Sequence, residues 1–397
     1  MKNAKNYRIL LKESVDMKKI CYCTTIPLTI NAFILKSAEY IHEHTDWDIS
    51  FISDYDEEFA ASLPDYIHYY PIPMKRGISL GGIKAMREMK RIFKREKFDL
   101  VQFSTPNASL YASMASKSAK IPVRLYCQWG MVYVGFSGIK RKIFKTIEKY
   151  VCKNATWIEP DSKLNLKFAH DEGLYPESIG SVIWNGSSSG INLNKFDISK
   201  KSEYRAAIRQ KHNIPDDALV YVFVGRINRD KGINELLEAY KNMSAERSAY
   251  LMIVGPSEMD ETVNAELYNW SLTQEKIIYT GGTKTVEQYL AAADCFVLPS
   301  YREGLAISAL ESQAMGLPLV VTDIRGLIDA VVPNETALAV PSKDAAALQS
   351  ALEAIYDNPS MREEFGRAAH KHICDNFEQQ RMFAYILEDR KRLLGEQ

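Results

Sequence analysis

The sequence CFVLPSYREGLAISALESQAMGLPLVVTD, residues 295–323, carries the clearest structural signal in the chain. An apolar run ends in Pro-Ser, a segment with helical spacing of apolar residues follows, and a second apolar run rich in valine closes the stretch. A buried strand, a helix and another buried strand in this order form the repeating unit of parallel sheets covered by helices. The stretch therefore predicts an α/β architecture.

Apolar runs alternate with helix-length segments on both sides of this stretch, along the whole chain. The other strands predicted in the second half are VYVFVG (220–225), AYLMIVG (249–255), KIIYTG (276–281) and ALAVP (337–341). The first half has KKICYCTT (18–25), WDISFIS (47–53), DLVQFST (99–105), VRLYCQW (123–129), TWIEPDS (156–162) and SVIWNGS (181–187), with helices near 30–43, 80–97, 108–119 and 139–153. Each half is thus predicted to be a doubly wound parallel sheet, and two such units facing each other enclose a cleft.

The length of 397 residues exceeds what one hydrophobic core usually supports, so two domains are expected. A polar, weakly periodic stretch near the middle of the chain suits an interdomain connection. We expect a first Rossmann-like domain over 1–195 and a second over 196–375, with a final helix in 376–397 that packs back on the first. Met17 directly precedes the first strand, so residues 1–16 are expected to be a dispensable extension.

The overall charge excludes one broad class of function. Lys plus Arg and Asp plus Glu both number 50, so the chain has no footprint of nucleic-acid binding. No run approaches the roughly 18 to 20 apolar residues of a membrane span, and the first residues lack the apolar block of a signal peptide. We therefore expect a cytoplasmic protein.

A basic loop follows the first strand of the second half, in VYVFVGRINRDKG. It places Arg226 and Lys231 at a strand end, with a helix beginning behind them near Gly232. Fixed cations next to a helix N-terminus can bind a diphosphate through charge-assisted hydrogen bonds. A solvated basic turn is the alternative that this segment alone leaves open.

Two glutamates frame the start of the next predicted helix. Glu303 precedes the helix and Glu311 lies eight residues later, so their carboxylates are expected on a similar side and up to roughly 12 Å apart. Such a pair is usually surface charge, but Glu311 lies in an otherwise small and apolar face, where a carboxylate needs a polar partner. The amides of Gly304, Leu305 and Ala306 are expected at the positive end of the helix, open to phosphate oxygens.

The ordered set FVGR…KG, LMIVGP, YLAAADCFVLPSYREG and ALESQAMGLPLVVTDIRGLIDAVV resembles the retaining glycosyltransferases of family 4, which have the GT-B fold, in their bacterial capsule, exopolysaccharide and lipid-linked oligosaccharide branch. The resemblance implies that Arg226 and Lys231 hold the diphosphate of a nucleotide sugar, Glu303 contacts the transferred hexose and Glu311 binds the ribose. It further implies that the backbone near Gly255 and Thr280 frames the base. With these cations on the leaving group, no metal or cofactor is expected.

The first domain matches the family more loosely. A histidine commonly lies at the exit of a middle strand there, but none occurs between His68 and His170, and no catalytic histidine is predicted. Five residues of the first-domain loops are predicted to meet the acceptor: Thr25, Asn31, Gln128, Trp129 and Gly130. A plain core role for Trp129 stays open.

Two segments of the first domain are strongly basic. Nine Lys or Arg lie between Lys75 and Lys97, and KRKIFKTIEKYVCK at 140–153 has the same character. Solvated helix faces are the ordinary meaning of such charge, but apolar residues at helical spacing favour contact with an anionic membrane surface. Peripheral membrane binding and a polyprenyl-diphosphate-linked acceptor, which the resemblance also implies, are therefore expected.

Three other functional classes are alternatives to a glycosyltransferase. A nucleotide-sugar epimerase or hydrolase can use the same cleft without an acceptor. A dinucleotide-dependent oxidoreductase is disfavoured because no G-x-G-x-x-G fingerprint follows a predicted strand. A non-catalytic sugar-binding protein is disfavoured by the full set of Arg226, Lys231, Glu303 and Glu311.

Overall fold

The computed structural model describes residues 17–74, 80–243, 247–258 and 260–396. The extension predicted for residues 1–16 lies outside these ranges, as does the beginning of the first basic segment, residues 75–79.

Two six-stranded parallel sheets organise the chain. The first contains β1 (Lys19–Cys23), β2 (Asp48–Ser53), β3 (Ile67–Pro71), β4 (Leu100–Phe103), β5 (Val123–Gln128) and β6 (Trp157–Pro160) in the order β3-β2-β1-β4-β5-β6. The second contains β7 (Leu219–Val224), β8 (Ala249–Val254), β9 (Ile277–Gly281), β10 (Cys295–Leu298), β11 (Leu319–Thr322) and β12 (Ala337–Val340) in the order β12-β11-β10-β7-β8-β9. Both are the same doubly wound order, which reverses between β1 and β4 and between β7 and β10.

Helices cover both faces of the sheets. In the first half they are α1 (Pro27–Phe33), α2 (Leu35–His44), α3 (Glu57–Ser62), α4 (Leu80–Glu96), α5 (Pro106–Ala119), α6 (Gly138–Asn154) and α7 (Lys163–Asp171). The rest are α8 (Lys201–Lys211), α9 (Ile233–Asn242), α10 (Ala265–Ser271), α11 (Val286–Ala292), α12 (Ile307–Ala314), α13 (Ala345–Asp357), α14 (Pro359–Asn376) and α15 (Gln379–Leu394). None of the helices in the described residues is long and apolar enough to cross a membrane.

The central strands are apolar on both faces because helices cover each side of the sheet. All four residues of β4 and all four of β10 are buried, which explains why these strands appear in the sequence as continuous apolar runs. The predicted α/β class and its two doubly wound sheets are confirmed.

Local differences from the sequence prediction have physical causes. The segment 181–187 is not a strand, because Trp184 and Gly186 have positive φ angles of 50° and 101°, which no strand accommodates. The prediction missed β3, an edge strand whose residues are largely open to solvent and which therefore lacks an apolar run. The helix expected over 30–43 is divided at Ile34, whose φ of −120° ends α1 before α2 begins.

The last helix, α15, lies against the first domain although it follows the second sheet. Its apolar face, formed by Met382, Phe383, Ile386 and Leu387, belongs to the same core cluster as Ile20 and Phe51 of the first sheet. Arg390 of this helix is 2 % exposed and forms an ion pair with Glu159 of β6, with 2.6 Å between Nη1 and Oε2. The chain thus crosses between the two sheets twice.

Candidate active site

A cavity of about 820 Å³ lies between the two sheets. Its walls include loops that follow strands of both sheets, with Thr105 after β4, Trp129 after β5, Lys231 after β7 and Glu303 after β10. In doubly wound sheets this is where ligands bind. Of the residues predicted for the site, seven line the cavity: Arg226, Lys231, Glu303, Gly304, Leu305, Trp129 and Gly130.

Glu303 and Lys231 form a close ion pair in the second half of the cavity. The ammonium nitrogen of Lys231 lies 2.6 and 2.9 Å from the two carboxylate oxygens of Glu303, and the hydroxyl of Ser300 donates to Oε1 at 2.6 Å. Both side chains of the pair are mostly buried, at 19 % and 10 % exposed. Each therefore holds the other in a defined position facing the cavity.

Gly232 allows Lys231 to reach this position. Its φ is 74°, and a Cβ atom there would lie 2.0 Å from the carbonyl oxygen of Pro299. Only glycine combines this backbone conformation with so close an approach. The loop after β7 is thereby held directly against the loop after β10.

Arg226 lies at the edge of the same cavity in a more open setting. Its guanidinium donates to Glu258 Oε2 at 2.7 Å, and the two side chains are 51 % and 45 % exposed. An ion pair of this exposure contributes little to stability, so the arginine can exchange its partner for a phosphate at small cost.

Glu311 lies on α12, outside the cavity lining. Burial raises the pKa of its carboxyl to about 7; Lys195 opposes this shift and Glu287 adds to it. The Oε2 atom of neighbouring Glu287 is buried without a hydrogen-bond partner, 3.8 Å from the ammonium nitrogen of Lys195. The contact of Glu311 with a ribose stays a prediction.

Two of the three backbone amides expected to bind phosphate donate to protein partners. Leu305 N–H donates to Asp161 Oδ2 of the first domain at 2.8 Å, and Ala306 N–H donates to the carbonyl of Gly326 at 3.2 Å. The carbonyl of Gly304 accepts from Asn165 Nδ2 at 2.9 Å. The loop that carries Glu303 is thus bound on one side by the first domain, and anion binding by its amides stays a prediction.

The remaining predicted donor positions concern the backbone. Gly255 has a φ of 146°, and a Cβ atom there would lie 1.9 Å from the carbonyl oxygen of Gly225. The hydroxyl of Thr280 donates to the carbonyl of Gly281 at 3.0 Å. Gly255 follows β8 and Thr280 lies near the end of β9, and their contact with a base stays a prediction.

Predicted acceptor residues differ in their access to the cavity. The hydroxyl of Thr25 is bonded to that of Thr105 at 2.8 Å, and the amide of Gln128 donates to Glu148 at 2.5 Å. Both residues are buried and do not line the cavity, while Asn31 is an exposed residue of α1. Trp129 does line it and packs against Phe33, with 5.7 Å between ring centroids.

Comparisons with known proteins match this architecture in both halves. Residues 19–162 match the family described as glycosyl transferase 4-like, and residues 205–372 match glycosyl transferases group 1. The chain belongs to these glycosyltransferases.

Individual relatives agree with the family. The chain is 28 % identical over 332 residues to the capsular polysaccharide biosynthesis glycosyltransferase CapM of Staphylococcus aureus, covering 83 % of this chain and 84 % of CapM. It is 26 % identical over 344 residues to the UDP-Gal:alpha-D-GlcNAc-diphosphoundecaprenol alpha-1,3-galactosyltransferase of Escherichia coli, covering 82 % and 84 %. The structure of HepE from Anabaena in complex with UDP and glucose superimposes with a TM-score of 0.77 at 16 % identity, covering 94 % of this chain and all of HepE. The fold is GT-B.

Asp161 and Glu148 are two of the cavity-lining carboxylates of this glycosyltransferase that were not predicted from the sequence. Asp161 follows β6 directly, and burial raises its pKa to about 7. Glu148 of α6 accepts from the hydroxyl of Tyr126 at 2.9 Å as well as from Gln128, and burial raises its pKa. An acidic residue at a strand exit signals Asp161, whereas Glu148 is hidden in the sequence within a basic amphipathic segment.

Proposed function

We propose that this glycosyltransferase moves a hexose or N-acetylhexosamine from a UDP-sugar to a sugar carried on polyprenyl diphosphate, with retention of anomeric configuration. The product would enter a surface polysaccharide or a lipid-linked glycan. The observation that carries the proposal is the Lys231–Glu303 pair at the winding reversal of the second sheet, on a cavity that continues into the first domain. The names of the relatives in Staphylococcus aureus and Escherichia coli support the substrate classes.

The roles proposed for Lys231, Arg226 and Glu303 rest on their charge and their place on the cavity, and the role of Glu311 rests on the family resemblance. Lys231 and Arg226 stabilise the negative charge that develops on the departing UDP, so no metal is required in this proposal. Glu303 binds the hexose, and Glu311 binds the ribose. As the bond from the anomeric carbon to the diphosphate oxygen breaks, the acceptor oxygen bonds to that carbon from the same face and its proton passes to the departing diphosphate.

Peripheral binding to the inner face of the membrane is part of the proposal. On α6 the side chains of Ile139, Ile143 and Tyr150 are 77 %, 53 % and 44 % exposed. They recur at helical spacing beside the exposed lysines Lys142 and Lys149. Exposed apolar residues flanked by cations suit an anionic lipid surface, where a polyprenyl-linked acceptor resides.

The transfer reaction is tested by incubating the purified protein with a panel of UDP-sugars, with and without short prenyl-diphosphate-linked sugars. We expect a new glycosidic product only when the acceptor is present. Conversion of a UDP-sugar at full rate without acceptor would instead establish the epimerase or hydrolase alternative.

The donor site is tested by Lys231→Ala. Loss of the ammonium group removes charge-assisted hydrogen bonds, so we expect kcat/KM to fall by about 10- to 150-fold, or about 1.5 to 3 kcal/mol. Lys211→Ala is the matched control, because its ammonium nitrogen contacts the hydroxyl of Tyr289, away from the cavity. Unchanged turnover in both Lys231→Ala and Arg226→Ala would place the diphosphate elsewhere.

A further inference from the structure

Arg325 lines the cavity, and no anion among the described residues contacts it directly. It follows β11, and its guanidinium carbon lies 3.5 Å from the centroid of the Phe168 ring on α7. Its Nε atom is buried and has no hydrogen-bond partner, and among the described residues the guanidinium forms neither a hydrogen bond nor an ion pair. A half-buried arginine in this state has its donors available for a ligand.

The backbone next to Arg325 touches the donor loop. A Cβ atom at Gly326 would lie 1.9 Å from the carbonyl oxygen of Gly304, and the amide of Ala306 donates to the Gly326 carbonyl. From this position the Arg325 side chain points across the cleft to α7 of the first domain. Arg325 therefore lies beside the loop that carries Glu303, and its side chain faces the first domain.

Basic side chains contact Glu172, a carboxylate of the first domain that acts electrostatically on Arg325. Glu172 accepts from Lys145 at 2.6 Å and from Arg141 at 3.2 Å, and the hydroxyl of Tyr133 donates to the same oxygen at 3.3 Å. The hydrogen bond from Lys145 is the main cause that lowers the pKa of Glu172, so this carboxyl is ionised. Two cations thus contact this carboxylate directly, whereas Arg325 interacts with it only at longer range.

We infer that Arg325, with Arg141 and Lys145, forms an acceptor site that binds the diphosphate joining the acceptor sugar to its lipid. This inference rests on the proposed function. The donor diphosphate has its own cations, Lys231 and Arg226, in the loop after β7. Arginine binds phosphate oxygens in a bidentate manner, and its stacking on Phe168 fixes the plane of the guanidinium.

The position of the cations explains how a lipid-linked substrate reaches Glu303. Arg141 and Lys145 belong to α6, the helix that exposes Ile139 and Ile143. A diphosphate held between α6 and Arg325 leaves its lipid on the side of those isoleucines and its sugar on the side of the donor loop. The same site favours acceptors that carry phosphate, because Arg325 would otherwise remain without a hydrogen-bond partner.

Direct binding to the full-length protein tests this site. The protein is saturated with UDP to fill the donor site and titrated with farnesyl diphosphate or with farnesol by calorimetry. We expect the wild type to prefer the diphosphate, and Arg325→Gln to bind it at least tenfold more weakly with an unchanged affinity for UDP. Arg325→Lys keeps the positive charge but loses the planar guanidinium that can donate two parallel hydrogen bonds. Its affinity for farnesyl diphosphate is therefore expected to lie between those of the wild type and Arg325→Gln.

The matched control is Arg381→Gln, because that guanidinium also lies over an aromatic ring, 4.8 Å from the centroid of Trp184, but away from the cavity. It is expected to bind farnesyl diphosphate as the wild type does. Equal affinity of Arg325→Gln and wild type for farnesyl diphosphate would overturn the inference. A loss of UDP affinity would also overturn it, since Arg325 would then serve the donor.

Two further experiments are needed. The first distinguishes a lipid headgroup from the acceptor diphosphate as the ligand of Arg325, and the second tests this inference separately from the proposed function. Flotation of Arg325→Gln with phosphatidylglycerol vesicles is expected to equal that of wild type, and a loss would assign Arg325 to lipid headgroups and overturn the inference. Binding of farnesyl diphosphate through Arg325 by a protein that transfers no sugar would retain the anion site and reject the proposed function. Transfer with equal efficiency to acceptors with and without diphosphate would retain glycosyl transfer and reject the site.

Discussion

The carboxylate of Asp161 connects the first domain to the loop that carries Glu303. It is 7 % exposed and accepts from the amide of Leu305, while Asn165 Nδ2 donates to its other oxygen at 3.3 Å. Burial is the main cause that raises its pKa to about 7, against an ordinary value of 3.8, and the nearby Asp329 adds to the shift. Its charge state therefore changes near neutral pH at a contact between the two domains.

Asp161→Asn is predicted to reduce the loss of stability as pH rises. A carboxyl whose folded pKa is raised binds more protons in the folded than in the unfolded protein between about pH 4 and pH 7, so stability falls through that window. The melting temperature of Asp161→Asn, relative to wild type, should therefore increase from pH 4.5 to pH 7 and then stay level. Glu311 titrates in the same range but is common to both proteins. A difference that is constant with pH would contradict the raised pKa.

At this scale the sequence predicts residues that directly follow recognisable strands. Lys231 and Glu303 follow strands with unmistakable apolar runs, so their placement at one sheet edge could be expected. Asp161 and Leu305 are separated by 144 residues, and Arg325 faces Phe168 of the other domain. Such contacts depend on how the two domains meet, which no local pattern specifies.

At the scale of elements, the central strands were predictable because they are buried on both faces. The errors lie where burial is incomplete or backbone geometry intervenes. Edge strand β3 has no apolar run, and the apolar segment 181–187 bends through left-handed residues instead of extending. Apolar composition identifies what is buried, but it does not distinguish a strand from a buried turn.

Helix α15 follows the second sheet in the chain but should contribute to the stability of the first domain. Its Arg390 contacts Glu159 at 2.6 Å and Gln102 at 3.1 Å inside the first domain. We predict that Arg390→Met lowers the free energy of unfolding by about 3 to 5 kcal/mol, because Glu159 is left buried without its cation. Thermal and urea unfolding measure the effect.

Two variants control the Arg390 prediction. Arg392→Met removes a neighbouring arginine of α15 whose guanidinium is half exposed, so it should change stability little. Combining Arg390→Met with Glu159→Leu replaces the whole ion pair by apolar groups and should restore much of the loss. Equal destabilisation by the single and double variants would show that packing of α15, and not the buried charge, dominates.

At the scale of the whole molecule, the two sheets differ in what their outer helices expose. The first domain presents α6 with Ile139, Ile143 and Tyr150 next to lysines, and α4 with Ile83, which is 45 % exposed. The second domain has isolated exposed apolar residues such as Leu272. The whole chain is neutral, so any attraction to an anionic surface has to come from a local patch, and we propose this side of the first domain for it.

We predict that Ile139→Asp with Ile143→Asp reduces flotation with phosphatidylglycerol-containing vesicles at least tenfold, because both the apolar contact and the local positive charge are weakened. Neutralising Lys84, Arg87, Lys90 and Arg91 on α4 should weaken binding further at low salt, since each cation near an anionic surface contributes about 1 kcal/mol. Leu272→Asp on the second domain is the matched control, because it removes a side chain of similar exposure from the opposite half. UDP affinity reports whether the variants fold. If the α6 variant floats as the wild type does while Leu272→Asp does not, the membrane lies on the other domain.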